Sequence, residues 1–199
     1  MKKLIFIIGL LLTFLTQIAS ANDFEKHAVR IVSISPIVSR CSGVLIDETA
    51  TTTHILTAKH CVSTEEQYII IEDTIRSAFV FASSTDDLAL IIIKDKIENK
   101  EPVTLNTENI RLGDNVNSLG YPYWDKSSFV SDGIVVRQSD EMVWTHFKSI
   151  GGCSGAGIFN NNAELVGILR GGVNSEDISV FEPNKDILTF LNKTYKKLK

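Results

Sequence analysis

From residue 28 onward the chain is a succession of short runs rich in Ile, Val and Leu, each closed by Ser, Thr, Asp or Pro. One set covers 28–35, 43–46, 54–58, 68–71, 75–81 and 88–93; a second covers 115–119, 129–136, 142–147, 157–159, 165–169 and 178–181. Runs this short, β-branched and separated by turn residues, read as the strands of an all-β barrel or sandwich. The charged stretch 94–109, which carries Pro102, reads as the link between two halves of about six strands each. The C-terminus breaks the pattern. Ile187, Leu188, Leu191, Tyr195 and Leu198 recur at helical spacing, and Asn184 is placed to cap a helix. Lys193, Lys196, Lys197 and Lys199 fall where a helix dipole favours cations. This segment is expected to be a helix packing one face on a barrel.

The N-terminus reads as a segment to be removed. Lys2 and Lys3 precede an apolar run over 4–19, interrupted by Gly9, Thr13, Thr16 and Gln17, and Ala19-Ser20-Ala21 has the small-residue pattern of a cleavage site. The run falls short of the roughly 20 apolar residues a membrane span needs. Residues 1–21 are therefore expected to be a signal peptide, and the mature chain an exported protein, periplasmic or secreted. No Cys follows the apolar run, which excludes lipid attachment at a new N-terminus. The formal net charge is −4, and it becomes more negative when Lys2 and Lys3 leave. That argues against a nucleic-acid or anionic-membrane partner, either of which wants a basic face.

Cys41, Cys61 and Cys153 give one pair and one single in an oxidising compartment. No His, Cys and Asp cluster has zinc-site spacing, so neither a metal nor a cofactor is expected. His27 and His54 are expected to stand outside the chemistry.

Three short segments carry that chemistry: Thr57-Ala58-Lys59-His60-Cys61, Asp86-Asp87-Leu88-Ala89-Leu90, and Gly151-Gly152-Cys153-Ser154-Gly155-Ala156-Gly157. Each alone is an ordinary feature: a histidine after a strand, a turn aspartate, a glycine-rich loop. Together, in the order His, Asp, Ser on an exported all-β chain, they supply the parts of nucleophilic acyl transfer. A serine hydroxyl needs a base to take its proton. Histidine is the side chain whose ordinary pKa allows that near neutrality. A carboxylate holds the imidazole in the right tautomer and stabilises its cation. Backbone N–H groups in a glycine-rich turn can meet the oxyanion.

These segments resemble the T-A-x-H-C, D-[IL]-A-L and G-x-S-G motifs of the chymotrypsin-like serine peptidases. Cys41-Ser42-Gly43-Val44-Leu45-Ile46 is similar to the C-G-G-x-L-I strand before the histidine motif, and Leu112-Gly113-Asp114 with Leu119-Gly120-Tyr121-Pro122 resembles a turn-and-strand pair of the short bacterial members. The resemblance runs from about residue 28 to residue 181. It implies two antiparallel six-stranded Greek-key β-barrels with the active site between them, followed by the C-terminal helix. The corresponding boundaries are 22–105 for the barrel carrying His and Asp, 106–182 for the barrel carrying Ser, and 183–199 for the helix. It also implies a His60–Asp87–Ser154 triad, an oxyanion hole from the N–H groups of Gly152 and Ser154, and a Cys41–Cys61 bridge beside the histidine.

Asp87 is preferred over Asp86 because the motif puts the acid directly before Leu88, and neighbouring side chains on a strand point to opposite faces. Ser154 is preferred over Cys153 because Gly155 follows Ser154. Many family members carry Asp at the position of Cys153, where it pairs with a newly cut N-terminus. This chain has neither that Asp nor an Ile-Val-Gly-Gly start, and Arg30-Ile31-Val32 lies too close to Cys41 to be an activation site. Activity is expected once the signal peptide is removed.

The resemblance assigns the substrate pocket to Lys148, Ser149, Leu169, Arg170, Gly171 and Gly172. Trypsin-like members carry Asp at the position of Lys148, so cleavage after Lys or Arg is not expected. Lys148, Arg170 and His146 would favour an acidic side chain if they turned inward, but these side chains are expected to face solvent. Gly171 and Gly172 would leave a strand edge open to an extended peptide. Arg170 occupies a position where many members have a Ser touching the acid. The function implied is an exported serine endopeptidase acting on proteins or peptides through an acyl-enzyme. The alternatives are a catalytically silent protease-fold binding module and an esterase using the same chemistry.

Overall fold

The computed structural model describes residues 23–33, 38–63, 67–83, 85–173 and 176–198. The expected signal peptide over 1–21 lies outside these residues. Every run read as a strand forms one among the described residues; 34–35, the end of the first run, lie outside them. The first six are β1 (Ala28–Ser33), β2 (Ser39–Glu48), β3 (Thr53–Ala58), β4 (Gln67–Ile71), β5 (Thr74–Ala82) and β6 (Leu88–Ile93). They close into an antiparallel barrel in the order β1-β2-β3-β6-β5-β4, with β4 pairing back onto β1. The second six are β7 (Asn115–Gly120), β8 (Phe129–Gln138), β9 (Val143–His146), β10 (Gly157–Phe159), β11 (Leu165–Gly172) and β12 (Ile178–Pro183). They repeat the same order, β7-β8-β9-β12-β11-β10, and close β10 onto β7. Barrels thus replace the sandwich left open by strand spacing, and in each the last strand of the order closes onto the first. The largest extensions beyond the apolar runs are in β2, which begins at Ser39, and β11, which continues to Gly172.

The strands read as continuous apolar runs because they serve two cores at once. Along β6, Ala89, Ile91 and Ile93 point into the first barrel while Leu88 and Leu90 point out between the barrels. Along β11, Val166 and Leu169 fill the second barrel, and Leu165 and Ile168 join the same central layer. The alternation of a pleated strand therefore fills a barrel with one face and the inter-barrel layer with the other. Stacking of Phe24 on Phe159, with centroids 4.8 Å apart, extends that layer.

Cys41 on β2 is bonded to Cys61 in the short 3₁₀ turn Lys59–Cys61 that follows β3. A covalent loop of 20 residues restricts the unfolded chain by about 3 kcal/mol. Its structural consequence is local: the turn that carries His60 is tied to the neighbouring strand.

The C-terminal helix, α1 (Asn184–Lys197), buries Ile187, Phe190, Leu191 and Thr194, while Leu198 is exposed. Asn184 does not cap it. Asn184 is buried as the first helical residue, and its side-chain amide donates to the carbonyls of Asn106 (3.1 Å) and Glu108. The amide group is used to hold the segment linking the barrels, because those carbonyls are its nearest acceptors. The linker itself is packed: the Val103 N–H donates to the Leu45 carbonyl at 2.9 Å, and Leu105 bridges Leu165.

Candidate active site

His60 leaves β3 on the 3₁₀ turn, and Asp87 stands directly before β6, the strand hydrogen-bonded to β3. Adjacent strands thus present both residues at the same end of the first barrel. The His60 backbone N–H donates to Asp87 Oδ1 at 3.0 Å, and His60 Nδ1 lies 2.7 Å from Asp87 Oδ2. An ionised carboxylate only accepts, so Nδ1 carries the proton and Nε2 keeps its lone pair. Burial pushes the Asp87 carboxyl up. The hydrogen bond and charge of His60, with smaller help from Arg170, outweigh it and hold Asp87 below the usual carboxylate range. Asp86 turns the other way and accepts from Ser83 Oγ (2.7 Å) and Thr85 Oγ1 (2.8 Å).

The second barrel brings the loop of Gly151 to Ala156 to this pair, just ahead of β10. Two glycines in it are required by the backbone. Gly152 has φ +101°, and a Cβ there would meet the Tyr121 carbonyl and the Tyr123 nitrogen at 2.5 Å. Gly155 has φ +83°, and a Cβ there would come within 2.2 Å of the Ser42 carbonyl and Thr57 Oγ1. Both are closed to other residues by torsion and by space. The N–H groups of Gly152 and Ser154 have no hydrogen-bond acceptor among the described residues, whereas the Cys153 N–H between them donates to the Ile150 carbonyl at 3.0 Å.

The Ser154 hydroxyl is not on the imidazole. It donates to the Arg170 carbonyl at 3.3 Å. The structure therefore brings His60 and Asp87 into contact and sets the Ser154 carbonyl 3.7 Å from the sulfur of Cys61, the residue after His60, with the Ser154 hydroxyl turned to Arg170. Cys153 is buried, and burial pushes its thiol up to about 11, which keeps it protonated at neutral pH.

Of the residues assigned to the substrate pocket, Lys148, Ser149, Gly171 and Gly172 line a cavity of about 450 Å³ that opens beside Ser154, together with Glu176 and Asp177. Leu169 does not line it, being part of the second barrel's core. Nor does Arg170, which reaches back toward the first barrel: its Nε is 3.8 Å from Asp87 Oδ2 and its Nη1 is 3.7 Å from Glu182 Oε1. Arg170 keeps much of its side chain in solvent, as expected, while its guanidinium leans toward the acid and away from the pocket. The pairing of β10 with β11 ends at Ile168, and Gly171 and Gly172 pair only with β12. Cys41, Cys61 and His60 lie close together, but both sulfurs are bonded to each other, which removes them as metal ligands.

Two contributing residues carry no motif signal of their own. Ser42, fully buried on β2, donates its hydroxyl to the Gly152 carbonyl at 3.0 Å and accepts from the Tyr121 N–H at 2.8 Å. Its backbone N–H donates to the Ser154 carbonyl at 2.8 Å. One residue of the first barrel thus fixes the loop of the second. Replacement of Ser42 by alanine strands two buried polar groups and is expected to lower unfolding free energy by about 2 kcal/mol in urea denaturation; a loss under about 0.5 kcal/mol would contradict this role. The second is Glu182 on β12, whose side chain is 3% exposed and whose Oε1 accepts the Asp87 N–H at 3.3 Å. Only the small residue type between Cys41 and Gly43 hinted at the first, and nothing local marked the second.

Paired six-stranded barrels of this order, with a histidine–carboxylate contact on one and a glycine-flanked serine on the other, define the chymotrypsin-like class of serine proteases. The trypsin-like peptidase domain matches residues 41–168, and the chain belongs to that family. Among solved structures it is similar to the serine endoprotease from Yersinia pestis, at 22% identity and a TM-score of 0.71, over 87% of this chain and 65% of that one. It is also similar to the Rv3671c protease from M. tuberculosis. The active form aligns at 18% identity and a TM-score of 0.71 over 85% of this chain and 81% of that one. The inactive form aligns at 17% and 0.69, over 85% and 89%. These likenesses are of fold. No curated protein matches the chain by sequence. No helix among the described residues is long and apolar enough to cross a membrane.

Proposed function

We propose that the mature chain is an exported serine endopeptidase in which a first unit, 22–105, supplies His60 and Asp87 and a second, 106–182, supplies Ser154. The observation that carries this reading is the doubly hydrogen-bonded His60–Asp87 pair facing a loop whose Gly152 and Ser154 N–H groups lack acceptors among the described residues. Rotation about the Ser154 Cα–Cβ bond moves its hydroxyl from the Arg170 carbonyl toward Nε2 of His60. Nε2 takes the proton as Oγ attacks the substrate carbonyl, and the resulting oxyanion is met by the two N–H groups. His60 then protonates the departing amine, leaving an acyl-serine. Water, deprotonated by His60, releases the acid and returns the hydroxyl. The Cys41–Cys61 bond supports export to an oxidising compartment, periplasmic or extracellular. Proteins or peptides are the substrates, and the cavity beside Ser154 carries both signs of charge, Lys148 with Glu176 and Asp177.

A silent protease-fold module draws on one observation, the Ser154 hydroxyl bonded to the Arg170 carbonyl. A fluorophosphonate separates the readings. The folded, disulfide-bonded mature chain is expected to take up one label per molecule, mapped by peptide mass to Ser154, and to cleave a peptide library. Absence of label in such a sample would favour the silent module; label without peptide cleavage would favour an esterase.

A further inference from the structure

β11 and β12 slip out of register between Leu169 and Gly171, which leaves Arg170 as the unpaired residue of a bulge. A bulge beside a site re-aims a side chain. Here it sends the Arg170 guanidinium over the barrel interface to Asp87 Oδ2, the same oxygen that holds His60 Nδ1. A cation there draws on the charge that would stabilise the imidazolium. Behind it lies Glu182, with one oxygen facing both the Asp87 N–H and Arg170 Nη1. A buried carboxylate adds little to stability compared with an apolar side chain of similar size, so its presence asks for another reason.

Resting on the triad reading, we infer that Glu182 and Arg170 form a charge-balanced positioning pair, in which Glu182 neutralises Arg170 so that the charge of Asp87 stays available to His60. The groups facing Glu182 are Arg170 from β11 and Asp86 and Asp87 from the segment before β6. Asp186 at the start of α1 faces Lys185 and Asp86. Burial, with the neighbouring Asp87 and Asp86 charges, pushes Glu182 up to about 7 against the pull of the Asp87 N–H and Arg170. The pair is therefore balanced in weak base and loses its anion as the pH falls through neutrality.

Glu182→Gln keeps the acceptor for the Asp87 N–H and removes the charge. It is expected to lower kcat about tenfold with KM little changed. The acid limb of the kcat/KM profile should move to lower pH by about half a unit, because the imidazolium loses a compensating anion. The limb should also flatten from a two-proton toward a one-proton slope. Arg170→Gln, at a side chain 49% exposed and so tolerant of replacement, should move the limb the opposite way. The double variant should recover kcat to within about threefold of the parent. A packing defect would add in the double variant; a charge imbalance is repaired there. An unchanged limb in both single variants, or a double variant worse than Glu182→Gln, overturns the inference.

The same comparison by NMR titration of the His60 ring in the Ser154→Ala background needs no turnover. A parent that neither labels nor cleaves would sink the triad reading. The opposite movements of the His60 titration in the two single variants would still test the pair.

Discussion

Replacing Ser154 by alanine is expected to lower kcat/KM by about a millionfold and to abolish fluorophosphonate labelling. The same replacement at Cys153 should leave both within about tenfold, since a buried protonated thiol is not a nucleophile at neutral pH. The two residues are neighbours on one loop, so a general disturbance of that loop would affect both variants alike. The asymmetry is what the geometry requires. Gly155, with its positive φ and its tight approach to Ser42 and Thr57, sets the turn after Ser154, and Cys153 faces the second barrel's core. Steady-state hydrolysis of a library-derived peptide by the two variants, with circular dichroism to confirm folding, measures the contrast. Wild-type rates from Ser154→Ala would end the assignment.

Asp87→Asn is expected to reduce kcat by about 10⁴-fold. In the native site both carboxylate oxygens accept, one from the His60 backbone N–H and one from Nδ1. An amide has one acceptor oxygen and one NH₂ group, so whichever way it is placed one of these contacts becomes donor against donor. The imidazole then gives up either its anchored position or the tautomer that leaves Nε2 free. Asp86→Asn should change kcat by no more than a few-fold, because among the described residues the Asp86 side chain accepts from Ser83 and Thr85 and not from His60. Parallel pH profiles of the two variants decide the matter; equal losses would show that the aspartates act on the loop and not on the histidine.

The strands were legible because their signal is local. Apolar runs such as 88–93 and 165–169 are bounded by turn residues and read the same way wherever the chain goes. Their closure into barrels was legible only through the motif resemblance, since strand spacing alone serves a sandwich equally well. The His60–Asp87 contact could be anticipated from two short motifs, because each motif fixes the end of a strand and the two strands are neighbours. Ser42 and Glu182 had no such signal. Ser42 reaches Gly152 across 110 residues of sequence, and Glu182 reaches Asp87 across 95. Polar residues at that separation acquire partners only when the barrels meet. The orientation of Arg170 was hidden for a related reason. A side chain in an ordinary strand would alternate outward, and the bulge that re-aims it depends on how β11 and β12 pair. Asn184 shows the limit of local capping rules: it lies one residue inside the helix, where its Oδ1 accepts the Lys185 N–H and its NH₂ group serves the carbonyls of the linker.

The division of each strand between a barrel interior and the layer between barrels has a consequence for how this chain can be cut or recombined. A first barrel made alone would present Val44, Leu56, Leu88 and Leu90 to water, and a second alone would present Leu119, Phe159, Leu165 and Ile168. Neither half is a module with a finished surface. Each is the other's solvent shield, so the crevice that holds the candidate residues is assembled in the same step that makes either half soluble.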